Sequence, residues 1–295
     1  MNVTMDLSKL SYETKTALVK DEQTAPEFLA ALATDKDARI RILVAWHSST
    51  PSEVLDTLAN DGDSVVRRAV AENGNTFAKT LAKLANDIEE EVRSAVGTNK
   101  NTKAETLAML ASDKEACIRC AVARSENTPV ELLAVLAQDE HWLVRGEVAL
   151  NASTSADMLA MLAKDESYRV RSAVAGNINT PIELLSVLAQ DKHWWVRQAV
   201  AENKNTPKET LAVLADDCYL SVRQNVAGNK NAPKEALVKL AGDRDYGVRK
   251  AVVNNPNTSY NTLLMLSKVK AVEIREKAKE VLKERALKAN TNKER

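Results

Sequence analysis

The chain has 295 residues, and its 41 basic residues balance its 41 acidic ones, so its formal net charge is zero. This balance disfavours electrostatic attraction of the whole molecule to nucleic acid or to an acidic membrane. Hydrophobic residues make up 44% of the sequence but aromatic ones only 4%. The core must therefore be built from Leu, Val and Ala, which favours many small helices over a sandwich of strands.

The N-terminal segment lacks the apolar stretch of a secretory signal, and no run approaches the roughly 18 apolar residues of a membrane span. Three cysteines do not form a disulfide framework in a protein of this length. We therefore expect a cytoplasmic protein. Residues 1–23 are expected to form an N-terminal cap, with a helix-compatible stretch around Leu10 to Val19.

A unit of 26 residues then recurs ten times without an insertion. Each copy has an arginine after a Val or Ile, and two leucines recur in every copy. A threonine column is broken only by Ala232, and an aspartate column gives way to Val269 in the last copy. Counted from its threonine, repeat one spans residues 24–49 and repeat ten spans 258–283. The arginine column comprises Arg41, Arg67, Arg93, Arg119, Arg145, Arg171, Arg197, Arg223, Arg249 and Arg275.

Repeat seven shows how a first helix is predicted to begin. Thr180 is expected to be its N-cap, because a threonine hydroxyl accepts an otherwise unpaired backbone N–H. Pro181 suits the first helical position, and Glu183 completes a Thr-x-x-Glu capping box. Leu185 and Leu188 follow at helical spacing and predict the buried face.

A second, short helix is predicted around Val196 and Arg197, short enough to contain a 3-10 turn. It is expected to end at Asn203, because asparagine tolerates the left-handed conformation of a helix end. Helices of this length are unstable alone, so each repeat must bury its apolar stripe against its neighbours. The sequence thus predicts an all-α solenoid, a right-handed superhelix of ten two-helix repeats.

The predicted domain organisation is an N-terminal cap over 1–23, a helical-repeat solenoid over 24–267, and a C-terminal part over 268–295. That last part contains the final half-repeat and a long charged capping helix over about 271–288. It carries ten basic and five acidic residues, a net charge of +5. A polar terminal cover of this kind is what an open-ended stack of repeats requires.

The repeat resembles the leucine-rich repeat variant (LRV) unit and, more distantly, the HEAT-like repeats of the phycobilisome-lyase type. The resemblance covers residues 24 to about 283, and in repeats seven and eight it rests on Asp191, Val196, Arg197, Asn203, Asn205, Thr206, Pro207, Glu209 and Leu211. It implies a superhelix of α- and shorter helices with a binding or assembly role. The founding LRV type carries a cysteine-ligated iron–sulfur cluster ahead of its repeats. Residues 1–23 contain no cysteine, so no cofactor is expected here.

The paired Asp and Arg columns allow two interpretations. Stacked arginines would make a phosphate-binding track, whereas a matched acid in nearly every copy would neutralise it as a structural ladder. We favour the structural ladder, because residue types fixed in every repeat usually serve packing. The asparagine columns are likewise interpreted as turn-capping ladders.

The spacing of Cys117 and Cys120 is that of a CxxC motif, but a zinc site would need a second ligand pair, and none is near in sequence. A redox role would need a thioredoxin-like setting, which the pattern lacks. We treat the motif as coincidental and predict no metal site. No G-x-S-x-G, P-loop or HExxH motif occurs, so no catalytic residue is predicted.

Aromatic residues concentrate near the start of the second helix in repeats five to nine. Rings at the spacing of successive repeats would form a partly apolar strip. The alternative is that each ring covers the turn between the two helices of its own repeat. The candidate partner-binding residues are His141, Trp142, Tyr168, Arg169, His193, Trp194, Trp195, Tyr219 and Tyr246.

The function predicted from these features is a non-catalytic scaffold that binds another protein or a peptide, with its contact surface biased to repeats five to nine. Binding of nucleic acid, or base repair like that of HEAT-like DNA glycosylases, is the alternative. It would use the rings against bases and basic residues such as Arg169, Lys204 and Lys230 against phosphates. A lyase of the phycobilisome type, acting on a chromophore or another small ligand, rests on analogy alone.

Overall fold

The computed structural model describes residues 7–291, and within that range the protein forms helices and turns but no strands. Each of the ten repeats contributes two helices joined by a short turn, as the 26-residue spacing predicts. The all-α architecture of ten two-helix repeats is therefore confirmed. No helix in this part of the sequence is both long enough and apolar enough to cross a membrane.

A short 3-10 turn, Leu7–Lys9, and a helix, Tyr12–Lys20, precede the repeats. The first helices of the repeats are Pro26–Leu32, Ser52–Leu58, Ala78–Leu84, Ala104–Leu110, Val130–Leu136, Ala156–Leu162, Ile182–Leu188, Lys208–Leu214, Lys234–Leu240 and Tyr260–Leu266. The second helices are Ala38–Trp46, Ser64–Glu72, Glu90–Thr98, Ala116–Arg124, Trp142–Leu150, Tyr168–Gly176, Trp194–Glu202, Leu220–Gly228, Tyr246–Asn254 and the long C-terminal helix Val272–Thr291.

The protein divides into two compact units, Met1–Ser153 and Thr154–Arg295, at the junction of repeats five and six. Within each unit, neighbouring second helices pack along one another, and each first helix packs on the second helix of its own repeat. In repeat seven, Leu185 and Val196 are fully buried in this core. Burial of each such side chain stabilises the fold by roughly 1.5–3 kcal/mol, so packing between repeats supplies what short helices lack.

One detail of the predicted helices is wrong. The second helix is not the short one and contains no 3-10 turn: in repeats one to nine it is an α-helix of nine residues, as in Trp194–Glu202. The first helix, as in Ile182–Leu188, has seven. Each second helix packs against its counterparts in neighbouring repeats, and this packing stabilises the longer α-helix.

The predicted threonine cap is also corrected. The hydroxyl of Thr180 donates to the carbonyl of Val174, in the last turn of the preceding second helix. It does not cap the following helix, whose N-cap is Pro181 and which has no side-chain cap hydrogen bond. Proline holds φ near its fixed value, and the extended backbone at Pro181 starts the helix one residue later than predicted. The threonine column thus closes one helix instead of opening the next.

The asparagine column joins successive repeats. Asn203 has φ −63° and ψ 128°, so it ends its helix in an extended conformation, not in the left-handed one predicted. No non-glycine residue within the described range has a positive φ. Nδ2 of Asn203 donates to the carbonyls of Ala175 and Asn177 in the preceding repeat at 2.8 and 2.9 Å, and its Oδ1 accepts the N–H of Asn205. The predicted asparagine ladder is confirmed, and its rungs cross between repeats.

The N-terminal helix Tyr12–Lys20 is a half-repeat in register with the second helices. Lys15 lies 26 residues before Arg41 and binds Asp35 of repeat one at 2.6 Å, as the arginines do in later repeats. The helix packs on the second helix of repeat one. This relation was missed at the sequence level, because lysine stands in the arginine column there.

The long charged helix predicted at the C-terminus is present as Val272–Thr291. Arg285 in this helix donates to the carbonyls of Thr258 at 2.6 Å and Pro256 at 3.0 Å, which lie in the turn between repeats nine and ten. In earlier repeats the corresponding carbonyls are bound by an asparagine of the next repeat. Residues 1–6 and 292–295 of the two predicted caps lie outside the described residues, and the predicted domain limits remain predictions.

Candidate partner-binding site

The Asp–Arg columns form a structural ladder, as predicted. Nε and Nη2 of Arg67 donate to the carboxylate of Asp87 in the next repeat at 2.6 and 2.9 Å, and Nη1 donates to the carbonyl of Asp61 at 2.9 Å. The two side chains are only 14% and 7% exposed. The Arg67 guanidinium holds the pKa of the Asp87 carboxyl below its usual range. The same pairing occurs in Arg41–Asp61, Arg93–Asp113, Arg119–Asp139, Arg171–Asp191, Arg197–Asp217 and Arg223–Asp243.

These paired arginines leave little free charge for phosphate groups, because a bidentate carboxylate occupies the donor edge of each guanidinium. The ladder therefore explains why the columns are constant and removes them from the candidate site. Function has to be sought in the columns that vary from repeat to repeat.

The aromatic residues lie where the second helices begin. His193 is the N-cap of its helix: its Nδ1 accepts the N–H of Trp195 at 3.2 Å, and its own N–H is accepted by Asp191 at 2.8 Å. Trp194 and Trp195 are the first two residues of that helix. Tyr219 occupies the same N-cap position one repeat later. The ladder aspartate and the cap thus fix the backbone from which the rings project.

Five of these residues come together in the second unit and are called the aromatic cluster: Tyr168, His193, Trp194, Trp195 and Tyr219. The ring centroids of Tyr168 and His193 are 3.7 Å apart with an angle of 10° between their planes. Those of Trp194 and Tyr219 are 5.5 Å apart at 18°. Trp195 lies 5.9 Å from both Tyr168 and Trp194. The stacking runs from repeat six through repeat seven to repeat eight.

Exposure divides the aromatic cluster into two parts. Tyr168, His193 and Trp194 are half-buried, whereas Trp195 is 46% exposed and Tyr219 is 45% exposed. Stacking between repeats gives the half-buried rings a packing role. It leaves large parts of Trp195 and Tyr219 in contact with solvent.

Guanidinium groups flank the outer members of the aromatic cluster. The Arg169 guanidinium lies 5.2 Å from the centroid of the Tyr168 ring, and that of Arg197 lies 5.7 Å from the Tyr219 ring. Ring faces carry the negative part of the aromatic quadrupole and ring edges the positive part. Cations and other rings therefore lie against Tyr168 and Tyr219.

A surface groove of about 740 Å³ adjoins the aromatic cluster. Trp194, Tyr219 and Leu220 line it, together with Arg244 and Asp245 from repeat nine. Leu220 is half exposed. Sequence reasoning did not include Leu220 or Arg244 among the candidate residues. The sequence position of each could have indicated it, because each stands in a variable column next to a column that holds rings.

The remaining candidates lie outside the aromatic cluster. The Tyr246 hydroxyl donates to Glu273 of the C-terminal helix, and the Lys250 amine lies 5.8 Å from the Tyr246 ring centroid. His141 and Trp142 belong to the first unit, where their ring centroids are 6.0 Å apart. Nδ1 of His141 accepts the N–H of Leu143 at 3.2 Å, the same capping role that His193 has.

The cysteines of the CxxC motif do not resemble an activated pair. Cys120 is buried, and burial raises the pKa of its thiol to about 11. Burial also raises the pKa of the exposed Cys117, with Glu90 and Glu115 adding to the effect. A reactive dithiol needs the opposite shift. Over residues 7–291, no group of three or more His, Cys, Asp or Glu side chains is placed to hold a metal ion.

The 26-residue repeat is the feature that this protein shares with known proteins. Residues 194–217, which include Trp194, Trp195 and the following first helix, match the family model of the leucine rich repeat variant. A solved structure of a leucine-rich repeat variant with a novel repetitive structural motif is 27% identical to this protein. The match covers 75% of this sequence and 87% of that one, with a TM-score of 0.55.

Two further solved structures are similar at lower identity. The YibA protein of E. coli is 21% identical over 93% of this sequence and 98% of its own, with a TM-score of 0.40. An engineered protein is 19% identical over 92% and 94%, with a TM-score of 0.35. None of the curated proteins matches the sequence. The predicted resemblance to the leucine-rich repeat variant family is confirmed by the family model over residues 194–217 and by the solved structure over three quarters of the sequence.

Proposed function

We propose that the protein is a non-catalytic scaffold that binds a partner protein or peptide, and that the aromatic cluster, which lies in repeats six to eight of the second unit, is its contact surface. One observation carries the proposal. Trp195 and Tyr219 lie close to the same stack of rings with nearly half of each side chain exposed. The equivalent positions one repeat later hold Ser221 and Asp245, so the fold does not require rings there.

The composition of this surface supports a protein partner. Trp, Tyr and Arg are enriched at the centres of protein interfaces, where they supply large contact areas with polar tips. The adjoining groove adds Leu220 and two charged residues of opposite sign, Arg244 and Asp245. A peptide inserted there would bury apolar area against the exposed rings and meet hydrogen-bonding groups at the rim.

The same geometry disfavours nucleic acid as the partner. Bases bind aromatic side chains through their faces, and in the aromatic cluster neighbouring rings and guanidinium groups stack on faces of Tyr168 and Tyr219. Most arginines of the constant column are held by aspartate and offer little charge to phosphates. An electrophoretic mobility shift assay at low and high salt separates the classes. Binding at low salt that is lost at high salt would favour nucleic acid.

The central test compares two variants in affinity capture with quantitative mass spectrometry. Trp195→Ser with Tyr219→Asp removes both exposed rings and introduces residues that the next repeat uses at those positions. Tyr260→Ser is the matched control, because Tyr260 is 62% exposed on a first helix and repeat two has Ser52 there. Circular dichroism checks that both remain folded.

We expect proteins captured by the wild type to fall at least about tenfold in the double variant, since loss of an interface anchor typically costs about 2 kcal/mol or more. The control should retain them. A set of captured proteins that is unchanged in the folded double variant would refute the assignment of the aromatic cluster as the contact surface.

A further inference from the structure

The aspartate column is broken in repeat ten, where Val269 replaces the acid. In seven earlier repeats this carboxylate accepts two bonds from the arginine of the preceding repeat and one from a backbone N–H two residues further along. Asp243, for example, accepts from Nε and Nη2 of Arg223 at 2.6 and 3.1 Å, and from the N–H of Asp245 at 2.8 Å. Three donors therefore converge on one carboxylate.

The equivalent donors beside Val269 are Nε and Nη2 of Arg249 and the backbone N–H of Ala271. Within residues 7–291, none of the three has a hydrogen-bond acceptor. The guanidinium is nevertheless held in the ladder position. Its Nη1 donates to the carbonyls of Asp243 at 2.6 Å and Arg244 at 3.0 Å, just as Nη1 of Arg223 donates to Asp217 and Cys218.

Charge around these donors favours an anion. Lys268 and Lys270 are exposed on either side of Val269, and Arg244 is exposed in the corresponding turn of repeat nine. Of the two acids nearby in the sequence, Asp245 accepts the N–H of Val248, and Glu273 is bound by Lys250 and Tyr246. Arg249 is half-buried and forms no ion pair with a described carboxylate. A partly desolvated guanidinium with a fixed planar donor edge binds a carboxylate through two parallel hydrogen bonds.

We propose that Arg249 and the N–H of Ala271 form a binding site for a carboxylate group of a partner protein. The carboxylate would occupy the position that the ladder aspartate has in earlier repeats, accepting from Nε and Nη2 of Arg249. The side chain of Asp or Glu and the C-terminus of a polypeptide both offer such a carboxylate. The site lies on repeats nine and ten, and it does not depend on the aromatic cluster.

The test is a nuclear magnetic resonance titration of the full-length protein. The probes are N-acetyl-aspartate α-amide, which offers an aspartate carboxylate, and N-acetyl-alanine, which offers a C-terminal one, with inorganic phosphate as a third arm. We expect the Arg249 Nε–H and Ala271 N–H signals to shift together and saturate, with a Kd on the order of 1–10 mM for at least one carboxylate. The Arg223 Nε–H signal, already paired with Asp243, is the internal control. The tighter of the two carboxylate probes identifies the source.

The matched variant is Val269→Asp, which restores the residue found in the nine earlier repeats and should fold. Its own carboxylate would occupy the site, so we expect carboxylate binding to weaken at least about tenfold and the thermal midpoint to rise. The proposal is overturned if Arg249 does not respond to either carboxylate, if phosphate binds more tightly than both, or if Val269→Asp binds the probes as the wild type does.

Discussion

At the scale of single residues, the ladder pairs a guanidinium with a carboxylate that is almost removed from solvent. Arg67 and Asp87 show why both members are needed: each is mostly buried, and the arginine also binds the backbone of its own repeat. A buried charge without its partner is costly, whereas an exposed ion pair contributes little. The ladder thus ties neighbouring repeats together by making each charge dependent on the next repeat.

We predict that Asp87→Asn destabilises the protein by roughly 2–4 kcal/mol at pH 7, because it leaves the Arg67 guanidinium without its counter-charge. Denaturant unfolding followed by circular dichroism measures the change. The folded state lowers the pKa of Asp87, so the contribution of its charge is present above the ordinary carboxyl pKa. It is lost as the pH falls through this lowered pKa, so the difference between wild type and variant should begin to shrink below about pH 4.

The control for this prediction is Glu280→Gln, which removes an acid from an exposed pair with Lys277 on the C-terminal helix. That change should leave the free energy of unfolding nearly unchanged. If Asp87→Asn and Glu280→Gln change the free energy of unfolding equally, then burial does not make the ladder pairs more stabilising than exposed ones. A difference between wild type and Asp87→Asn that persists unchanged at about pH 3 would contradict the charge-based explanation.

At the scale of helices, the threonine column determines how each second helix ends. The Thr206 side chain is fully buried, and its hydroxyl donates to the carbonyl of Val200 at 2.5 Å. A helix end leaves its last carbonyls without intrahelical donors, and a buried carbonyl without a donor is costly. The Val200 carbonyl accepts the N–H of Asn203 at 3.2 Å, and the Thr206 hydroxyl supplies a second donor in a buried position.

We predict that Thr206→Ala lowers the free energy of unfolding by roughly 1–2 kcal/mol, because the Val200 carbonyl loses its hydroxyl donor. Repeat nine offers the reverse experiment, since the column there holds the buried Ala232. Ala232→Thr should gain about 1 kcal/mol by donating to the carbonyl of Val226. Urea unfolding midpoints measure both changes. Two shifts of the same sign would contradict this role for the threonine.

The sequence was sufficient to predict the elements but not all of their bonds. A strict 26-residue period and the helical spacing of Leu and Val identified both helices in every repeat. The roles of Thr180 and Asn203 were misassigned, because a capping residue between two helices can serve either one. Only the fold shows that Thr180 reaches back to Val174 and that Asn203 reaches the preceding repeat.

The contacts within the aromatic cluster could not be predicted from the sequence either. Column counting brought Trp142, Tyr168, Trp194 and Tyr246 into one row. The stacked contacts within the cluster instead combine neighbouring columns, as in Tyr168 with His193. Side-chain rotamers decide which rings stack, and spacing along a sequence does not determine them. Tyr246 is turned to Glu273 by a hydrogen bond that no column predicts.

At the scale of the whole molecule, the bonds between repeats recur with nearly the same geometry within each unit. Arg67 pairs with Asp87 and Arg93 pairs with Asp113, with similar distances. Asn99 and Asn73 likewise each bind the carbonyls of the preceding repeat. In such a protein, stability is close to a sum over repeats and over the junctions between neighbours. Deletion of one whole repeat then joins its two neighbours through the same bonds that join the other repeats.

We therefore predict that deletion of residues 76–101, the whole of repeat three, leaves a folded protein. Arg67 would pair with Asp113 in place of Asp87, and the threonine and asparagine columns would stay in register. Helical content per residue should be unchanged, the denaturant m-value should fall by roughly a tenth with the buried area, and the unfolding midpoint should decrease modestly. Deletion of residues 76–88 is the control, because it removes half a repeat and brings two second helices into succession. That control should lose cooperative unfolding, and similar stability of the two deletions would argue against additive, register-dependent repeats.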